Sequence, residues 1–155
     1  MRKFFLISAA VIMAGMLLCS CGGKSDSDVT ASELLKAAQE SDSSFDEMES
    51  VTKDDIKYYY ELEEGWYDDF AAEISGNPAY AEEIVVVKAS SSENVKKVSD
   101  ALEARVESRK NTLQSYAPEE YDKLCKSSVE TKGNYVYLVV NSDIKTAQKA
   151  LEKLF

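Results

Sequence analysis

The run Ile84-Val85-Val86-Val87 constrains the fold most, because a strand formed by these residues carries apolar side chains on both of its faces. Such a strand belongs in the interior of a sheet rather than at its edge. The run lies within an extended segment at residues 83–89, and residues 66–74 form a second extended segment. The turn cluster Ser75-Gly76-Asn77-Pro78 separates the two, so they are predicted to pair as antiparallel strands.

A second hairpin is predicted near the end of the chain. Residues 129–132 and 135–140 have strand patterns and flank Gly133-Asn134, a dipeptide that favours the positive φ angles of a tight turn. In the later strand, Tyr135 and Tyr137 share one face. The other face carries aliphatic side chains, namely Val136, Leu138 and Val140.

Helices are predicted where an N-terminal cap precedes an apolar repeat of helical spacing. The longest has a stripe that continues to Tyr116 and is made of Val95, Val98, Leu102, Val106 and Leu113. Three predicted helices begin with a capping pair: Thr30 and Glu33 for the first, Thr52 and Asp55 for the second, which Gly65 is predicted to end, and Ser90 and Glu93 for the longest. A fourth helix is predicted to begin at Pro118. The last helix is predicted to begin near Asn141 or Ser142 and to pack Ile144, Ala147, Leu151 and Phe155.

This order of elements predicts an α+β domain with an antiparallel sheet of about four strands, covered on one face by the long helix. Additional helices lie at the N-terminal and C-terminal ends. If the aliphatic face of the last strand meets the long helix, Tyr135 and Tyr137 lie on the opposite sheet face. Either the first helix and Tyr58 or Tyr59 cover them as a second small core, or that face is open.

The N-terminal segment predicts export and lipidation. Arg2 and Lys3 precede an apolar stretch at residues 4–18, which is short for a membrane span of about 20 residues. The stretch runs into Leu18-Cys19-Ser20-Cys21, which resembles the bacterial lipobox with Cys21 as the lipid-bearing residue. A plain secretory signal or an uncleaved anchor is the alternative. We therefore expect a signal peptide at residues 1–20, a flexible tether at 21–29 and one globular domain at 30–155.

Cysteine and histidine counts exclude several kinds of chemistry. Cleavage removes Cys19 and lipidation uses Cys21, so Cys125 is left alone and no intrachain disulfide can form. Cys125 is predicted to be a small core residue on a helix, with a reactive thiol as the alternative. The chain has no histidine, which excludes Ser-His-Asp, Cys-His and histidine-ligated metal mechanisms.

Charge restricts the partners of the exported domain. Subtracting the positive charges of Arg2 and Lys3 from the formal net charge of −10 gives −12 for the mature chain. Nucleic acid is an unfavourable partner because it requires a basic footprint. Anionic headgroups would also repel this surface, so membrane attachment is expected through the acyl chains on Cys21.

No cofactor, metal site or catalytic residue is predicted. Acidic residues are so abundant that a glycosidase-like carboxylate pair has no specific signal. The acidic segment at residues 42–47 lacks the central glycine and distal glutamate of an EF-hand calcium loop. One free cysteine without histidine cannot form a zinc site.

Aromatic residues and two arginines are the remaining candidates for a binding surface. Tyrosine and tryptophan are enriched at interfaces, which makes Trp66, Tyr135 and Tyr137 candidates. Arg109 stands where the stripe of the long helix requires an apolar residue, and Arg105 precedes it by one turn. In one interpretation both arginines are surface charges with their aliphatic stems packed on the protein. In the other, a buried carboxylate binds one of them, and Arg105 is favoured. That arginine would then either fix the helix to the sheet or present its guanidinium to an anionic ligand.

The sequence resembles a known family, the bacterial lipoproteins that carry domain of unknown function 4358. The resemblance covers about residues 30–155. It rests on the order and spacing of Tyr58-Tyr59-Tyr60-Glu61-Leu62, residues 82–88, Arg105, Tyr116-Ala117-Pro118-Glu119 and Gly133-Asn134-Tyr135-Val136. It implies location and fold, and it implies no reaction, ligand or catalytic residue.

The predicted function is that of a lipid-anchored lipoprotein on the extracytoplasmic face of the cell membrane. Its domain is predicted to be a non-enzymatic binding or interaction module whose partner is an envelope protein or a glycan. An exported hydrolase that uses acidic residues is the alternative from another class.

Overall fold

The computed structural model describes residues 29–45 and 47–155, in which helices alternate with strands. The strands are β1 (Met48–Ser50), β2 (Tyr67–Ser75), β3 (Glu83–Ala89), β4 (Val129–Lys132) and β5 (Tyr135–Val140). The helices are α1 (Ala31–Gln39), α2 (Lys53–Tyr60), α3 (Ser92–Leu113), α4 (Pro118–Lys126) and α5 (Ile144–Glu152). A short 3₁₀ turn at Ser43–Phe45 precedes β1.

The strands form one antiparallel sheet in the order β1-β2-β3-β5-β4. Both predicted hairpins are confirmed, and β3 is interior as its apolar run requires, because it pairs with β2 on one side and β5 on the other. Gly133, with φ +56°, provides the positive φ angle in the turn between β4 and β5. The predicted count of about four strands omitted the edge strand β1.

Helices cover both faces of the sheet: the long helix covers one face as predicted, and the opposite face forms a second core instead of lying open. On the first face, Val85, Val87 and the aliphatic side of β5 pack with α2, α3 and α4. On the second face, Ile84 and Val86 pack with α1, α5 and Phe45. The physical reason is that the apolar stripes of α1 and α5 need a surface to cover, and the face opposite α3 supplies it.

Most helix boundaries are close to the predicted ones, but α2 ends at Tyr60, with Glu61 in the left-handed conformation, rather than at Gly65. The capping box of Thr30 and Glu33 is present, and Thr52 caps α2. The long helix is capped by Ser91 rather than Ser90, because the Ser90 hydroxyl donates a hydrogen bond to the Gly65 carbonyl instead. It ends at Leu113, one turn before Tyr116.

The predicted start is correct for α4 but not for α5. Pro118 is the first residue of α4, as predicted. The cap of α5 is Asp143 rather than Asn141 or Ser142. Asn141 is buried and its amide donates hydrogen bonds to Asp42 and Ser44, so its side chain is not available to the helix.

Two single-residue predictions are wrong. Cys125 is exposed rather than in the core, because the buried side of α4 carries Leu124. Val29, assigned to the tether, is buried, and its carbonyl accepts a hydrogen bond from the Tyr135 hydroxyl. The folded domain therefore includes Val29.

The predicted signal peptide, the predicted lipidation site Cys21 and the rest of the predicted tether lie outside the described residues. Within residues 29–45 and 47–155, no helix combines the length and apolar character that crossing a membrane requires.

Candidate functional site

An ion pair joins the middle of α3 to the first residue of β3. Arg105 Nη2 lies 3.1 Å from Glu83 Oε2, and Arg105 Nε donates to the same carboxylate over 3.3 Å. Glu83 is only 2% exposed although it is charged. A buried carboxylate requires a paired cation, and the planar guanidinium provides two donors toward it. The hypothesis that a buried carboxylate holds Arg105 is therefore confirmed.

Two tyrosines of α2 complete the surroundings of this ion pair. The Arg105 guanidinium lies 5.4 Å from the ring centre of Tyr59 and 5.5 Å from that of Tyr60, within cation–π range. Burial lowers the pKa of Arg105, but the charge of Glu83 and its hydrogen bonds outweigh burial and raise the pKa above its ordinary value. The ion pair and the rings thus fix α2, α3 and β3 to one another.

The Tyr60 hydroxyl is buried beside Glu83 without a hydrogen bond of acceptable geometry. Burial, and then the negative charge of Glu83, raise the pKa of Tyr60 well above its ordinary value. Tyr60 therefore stays neutral inside the domain.

Arg109 holds the loop between β2 and β3. Its Nη2 donates to the backbone carbonyl of Tyr80 at 2.7 Å and to that of Pro78 at 3.2 Å. Burial, followed by the positive charge of Arg105, lowers the pKa of Arg109 below its ordinary value. The surface-charge interpretation of Arg109 is therefore wrong, because its guanidinium contacts the protein.

A lysine forms the centre of a third charged group. Lys123 Nζ lies 2.5 Å from a Glu82 carboxylate oxygen and 2.7 Å from Glu120 Oε1. Glu120 Oε2 also accepts a hydrogen bond from the Ala81 backbone N–H at 2.8 Å. These contacts tie α4 to the residues immediately before β3.

Three cavities at this end of the sheet share lining residues, and we call them together the β2–β3 groove. The arginine cavity, of about 270 Å³, is lined by both arginines of α3 and by Glu83, Tyr59 and Tyr80. The tyrosine cavity, of about 310 Å³, shares Arg105 and Tyr59 with it and adds Tyr58. The lysine cavity, of about 820 Å³, shares Tyr80 and Glu82 with the arginine cavity and includes Lys123.

Aromatic side chains are exposed along the groove. Tyr58 is 81% exposed at the tyrosine cavity, and Tyr80 is 52% exposed where the arginine and lysine cavities meet. Large exposed aromatic rings beside fixed polar groups are typical of binding surfaces.

The structure separates the four residues of the predicted binding surface. Only Arg105 lines the groove. Tyr135 and Tyr137 are buried on the other face of the sheet, between α1, α5 and Phe155, so that face is not open. The covering helices are the first and the last, and Tyr58 and Tyr59 take no part because α2 lies on the opposite face.

Trp66 lies at the other end of β3. Its backbone carbonyl accepts a hydrogen bond from Ser90, which follows the last residue of the strand, whereas Glu83 is the first. Six residues of a strand span about 20 Å, so Trp66 and Arg105 do not share a site. Lys97 lies 5.7 Å from the centre of the Trp66 ring.

Sequence reasoning missed Glu83, Lys123 and Tyr80 as groove residues. The sequence did contain a signal for Glu83, because this acid is the first residue of a strand whose apolar run predicts burial. A buried acid needs a cation nearby. Tyr80 and Lys123 carried no comparable signal, because their positions depend on how the β2–β3 loop and α4 meet.

The described residues contain no group of three or more potential ligands from His, Cys, Asp and Glu arranged to hold a metal ion. Three acids of the groove instead contact basic side chains: Glu83 contacts Arg105, and Glu82 and Glu120 contact Lys123. The arrangement is suited to holding a ligand between fixed charges and exposed rings.

The comparison with protein families gives one match, and it includes most of this groove. No curated protein and no solved structure matches the chain. The family described as "Domain of unknown function (DUF4358)" matches residues 41–141, which include the Arg105–Glu83 ion pair, Tyr59, Tyr80 and Lys123. The matched part exceeds half of the chain, and the chain therefore belongs to the DUF4358 family.

Proposed function

We propose that the protein is a lipid-anchored lipoprotein on the extracytoplasmic face of the cell membrane, with a domain that acts as a non-enzymatic binding module of the envelope. The observation that carries the binding part is the β2–β3 groove, where exposed Tyr58 and Tyr80 stand beside side chains fixed by ion pairs. A surface of this kind offers contact area at little cost in side-chain ordering.

The anchoring part is supported by the sequence. The apolar segment at residues 4–18 leads into Leu18-Cys19-Ser20-Cys21, with Cys21 at the lipidated position of a lipobox. Each buried methylene group contributes about 0.8 kcal/mol, so two or more acyl chains hold a protein stably at the bilayer. The acidic domain gains nothing from anionic headgroups, which leaves the groove available to other partners.

The alternative of an exported hydrolase requires a carboxylate pair that can exchange protons with a substrate. Glu82, Glu83 and Glu120 are each within 3.1 Å of a basic nitrogen. This pairing supports a structural role for Glu82, Glu83 and Glu120, and it favours binding over hydrolysis.

The anchor is tested by Cys21→Ala, with Cys19→Ala as the matched control. We expect the wild type and Cys19→Ala to incorporate labelled palmitate and to sediment with membranes, whereas Cys21→Ala is released unlabelled. Membrane retention of Cys21→Ala, together with an unlabelled wild type, would contradict the anchor.

The groove is tested by placing a photo-crosslinking amino acid at Tyr80 in intact cells. A discrete adduct is expected from position 80, and none from the same residue at Lys96, which is exposed on α3 and does not line the groove. Adducts of equal yield at both positions, or none at position 80, would contradict the binding module.

A further inference from the structure

Arg109 is a half-buried cation whose charge no neighbouring acid neutralises directly. Its Nη2 contacts only the backbone carbonyls of Pro78 and Tyr80, and its Nε is buried without a hydrogen-bond partner. No carboxylate of a described residue lies within ion-pair distance, and Glu83 and Glu120 act on it only from farther away. A cation removed from water needs a counter-charge, so Arg109 lacks a partner that its neighbours Arg105 and Lys123 both have.

The missing partner has a place to bind. The arginine cavity is lined by both Arg105 and Arg109, and its volume of about 270 Å³ accommodates a small organic group. Among the described residues, Nη1 of Arg105 and Nη1 of Arg109 form no hydrogen bond, because Arg105 uses Nε and Nη2 for Glu83 and Arg109 uses Nη2 for the loop. Guanidinium nitrogens are the preferred donors to carboxylate oxygens.

The surroundings determine which anion fits. Glu49, Glu82 and Glu83 also line the arginine cavity, so a doubly charged phosphate is repelled more strongly than a singly charged carboxylate. The rings of Tyr59 and Tyr80 provide apolar surface for the remainder of an organic acid. The lysine cavity, which shares Tyr80 with the arginine cavity, is the neighbouring space for a longer ligand.

We propose that the arginine cavity is a binding site for an organic monocarboxylate, with Arg109 as the residue that neutralises the carboxylate and Tyr80 as the ring against which the ligand packs. The proposal rests on the proposed function, since it names the ligand class of the same groove. It also gives a role to the hydrogen bonds between Arg109 and the β2–β3 loop, which place Tyr80 beside the guanidinium.

The test is a titration of the full chain in detergent micelles, followed through the arginine side-chain Nε–H signals. The sequence has three arginines, and cleavage of the proposed signal peptide removes Arg2, so assignment of Arg105 and Arg109 by Arg105→Lys and Arg109→Lys is direct. The probes are N-acetylalanine, its uncharged amide N-acetylalaninamide, and inorganic phosphate. We expect a saturable shift of the Arg109 signal with N-acetylalanine, none with the amide, and affinity about tenfold or more weaker for phosphate.

Two variants distinguish binding at a specific site from non-specific electrostatic attraction. Arg109→Gln should weaken N-acetylalanine binding about tenfold or more, whereas Lys110→Gln, which removes the same charge one residue later, should leave it unchanged. Backbone amide spectra establish that each variant is folded, and the comparison of acid with amide in the wild type tests the proposal even if Arg109→Gln does not fold.

An equal response to acid and amide, a tighter response to phosphate, or no saturable shift of Arg109 would overturn the carboxylate site. A specific adduct at position 80 together with any of these results would leave the binding module standing and refute only its ligand class. The absence of both the adduct at position 80 and a saturable shift of the Arg109 signal would refute the binding module itself.

Discussion

Arg105 and Glu83 face each other across the junction of the long helix and the central strand, with Nη2 and Oε2 3.1 Å apart and the carboxylate almost entirely removed from solvent. The pair also borders the groove, because Arg105 lines both the tyrosine and the arginine cavities and Glu83 lines the arginine cavity. Its integrity therefore affects both the stability of the domain and the shape of the groove.

Removing the arginine should destabilise the domain more than the loss of an exposed ion pair does. We expect Arg105→Gln to lower the free energy of unfolding by about 3 to 5 kcal/mol, because Glu83 is left buried without its cation. Arg105→Lys should cost more than about 1 kcal/mol, the upper value for exposed pairs, because an ammonium cannot bind the carboxylate through two planar donors. Urea unfolding of the purified protein measures both.

Lys96→Gln is the control for these variants, since it breaks the exposed pair of Lys96 and Asp100 on the same helix. Its urea midpoint should equal that of the wild type. An Arg105→Lys midpoint that also equals the wild-type value would show that the buried pair contributes no specific stability.

Tyr60 should make the domain sensitive to alkali. Its pKa is raised in the folded state, so the stability that its burial contributes is complete below its ordinary pKa of 10.0 and is lost as the pH rises above that value. One such group changes the free energy of unfolding by about 1.4 kcal/mol per pH unit above 10. Between pH 9 and 11, Tyr60→Phe should therefore lose about 1 kcal/mol less stability than the wild type.

Tyr58→Phe changes an exposed tyrosine of the same helix and serves as the comparison for Tyr60→Phe. Urea unfolding at several pH values provides the measurement. Parallel pH dependences for the wild type and Tyr60→Phe would be inconsistent with a buried neutral hydroxyl at this position.

Cys125 should react in the folded protein. Its thiol is exposed on α4, so a maleimide is expected to modify it at the rate of a free thiol, without denaturant. Cys125→Ser should change the free energy of unfolding by less than about 0.5 kcal/mol, as is usual for surface substitutions. Modification that requires urea would place the thiol in the core after all.

The start of the domain can be located by truncation. A chain that begins at Val29 should unfold at the same urea concentration as the longer protein. A chain that begins at Ser32 loses the buried Val29 side chain and the Thr30 cap, and we expect it to be about 2 to 4 kcal/mol less stable. Equal stability of the two truncated chains would show that residues 29–31 do not belong to the folded unit.

Local signals allowed most elements to be predicted from the sequence. The capping box at Thr30, the apolar run of β3 and the Gly133-Asn134 turn each act over a few residues, and each is found in the structure. The strand β1 was missed because Met48–Ser50 is too short to show an alternating pattern. Its pairing with β2 decides its conformation.

The groove could not be predicted in the same way, because it is made by residues far apart in the chain. Arg105 was recognised as unusual, but its partner Glu83 is 22 residues away and the choice among many acids depends on how α3 crosses the sheet. The burial of Cys125 could not be predicted either, because it depends on how α4 is rotated about its own axis. Its neighbour Leu124 is buried, and a rotation of one position decides which of the two faces the core.

The hydrogen bond between the Tyr135 hydroxyl and the Val29 carbonyl attaches the chain ahead of α1 to the sheet. Force applied to the chain ahead of Val29 is passed to β5, which is hydrogen-bonded to strands on both sides, before it reaches the end of α1. The Ala31 backbone N–H, bonded to Asp69 of β2 at 2.8 Å, provides a second point of attachment to the sheet. A pull from a membrane anchor would therefore act on several strands together instead of unwinding the first helix turn by turn.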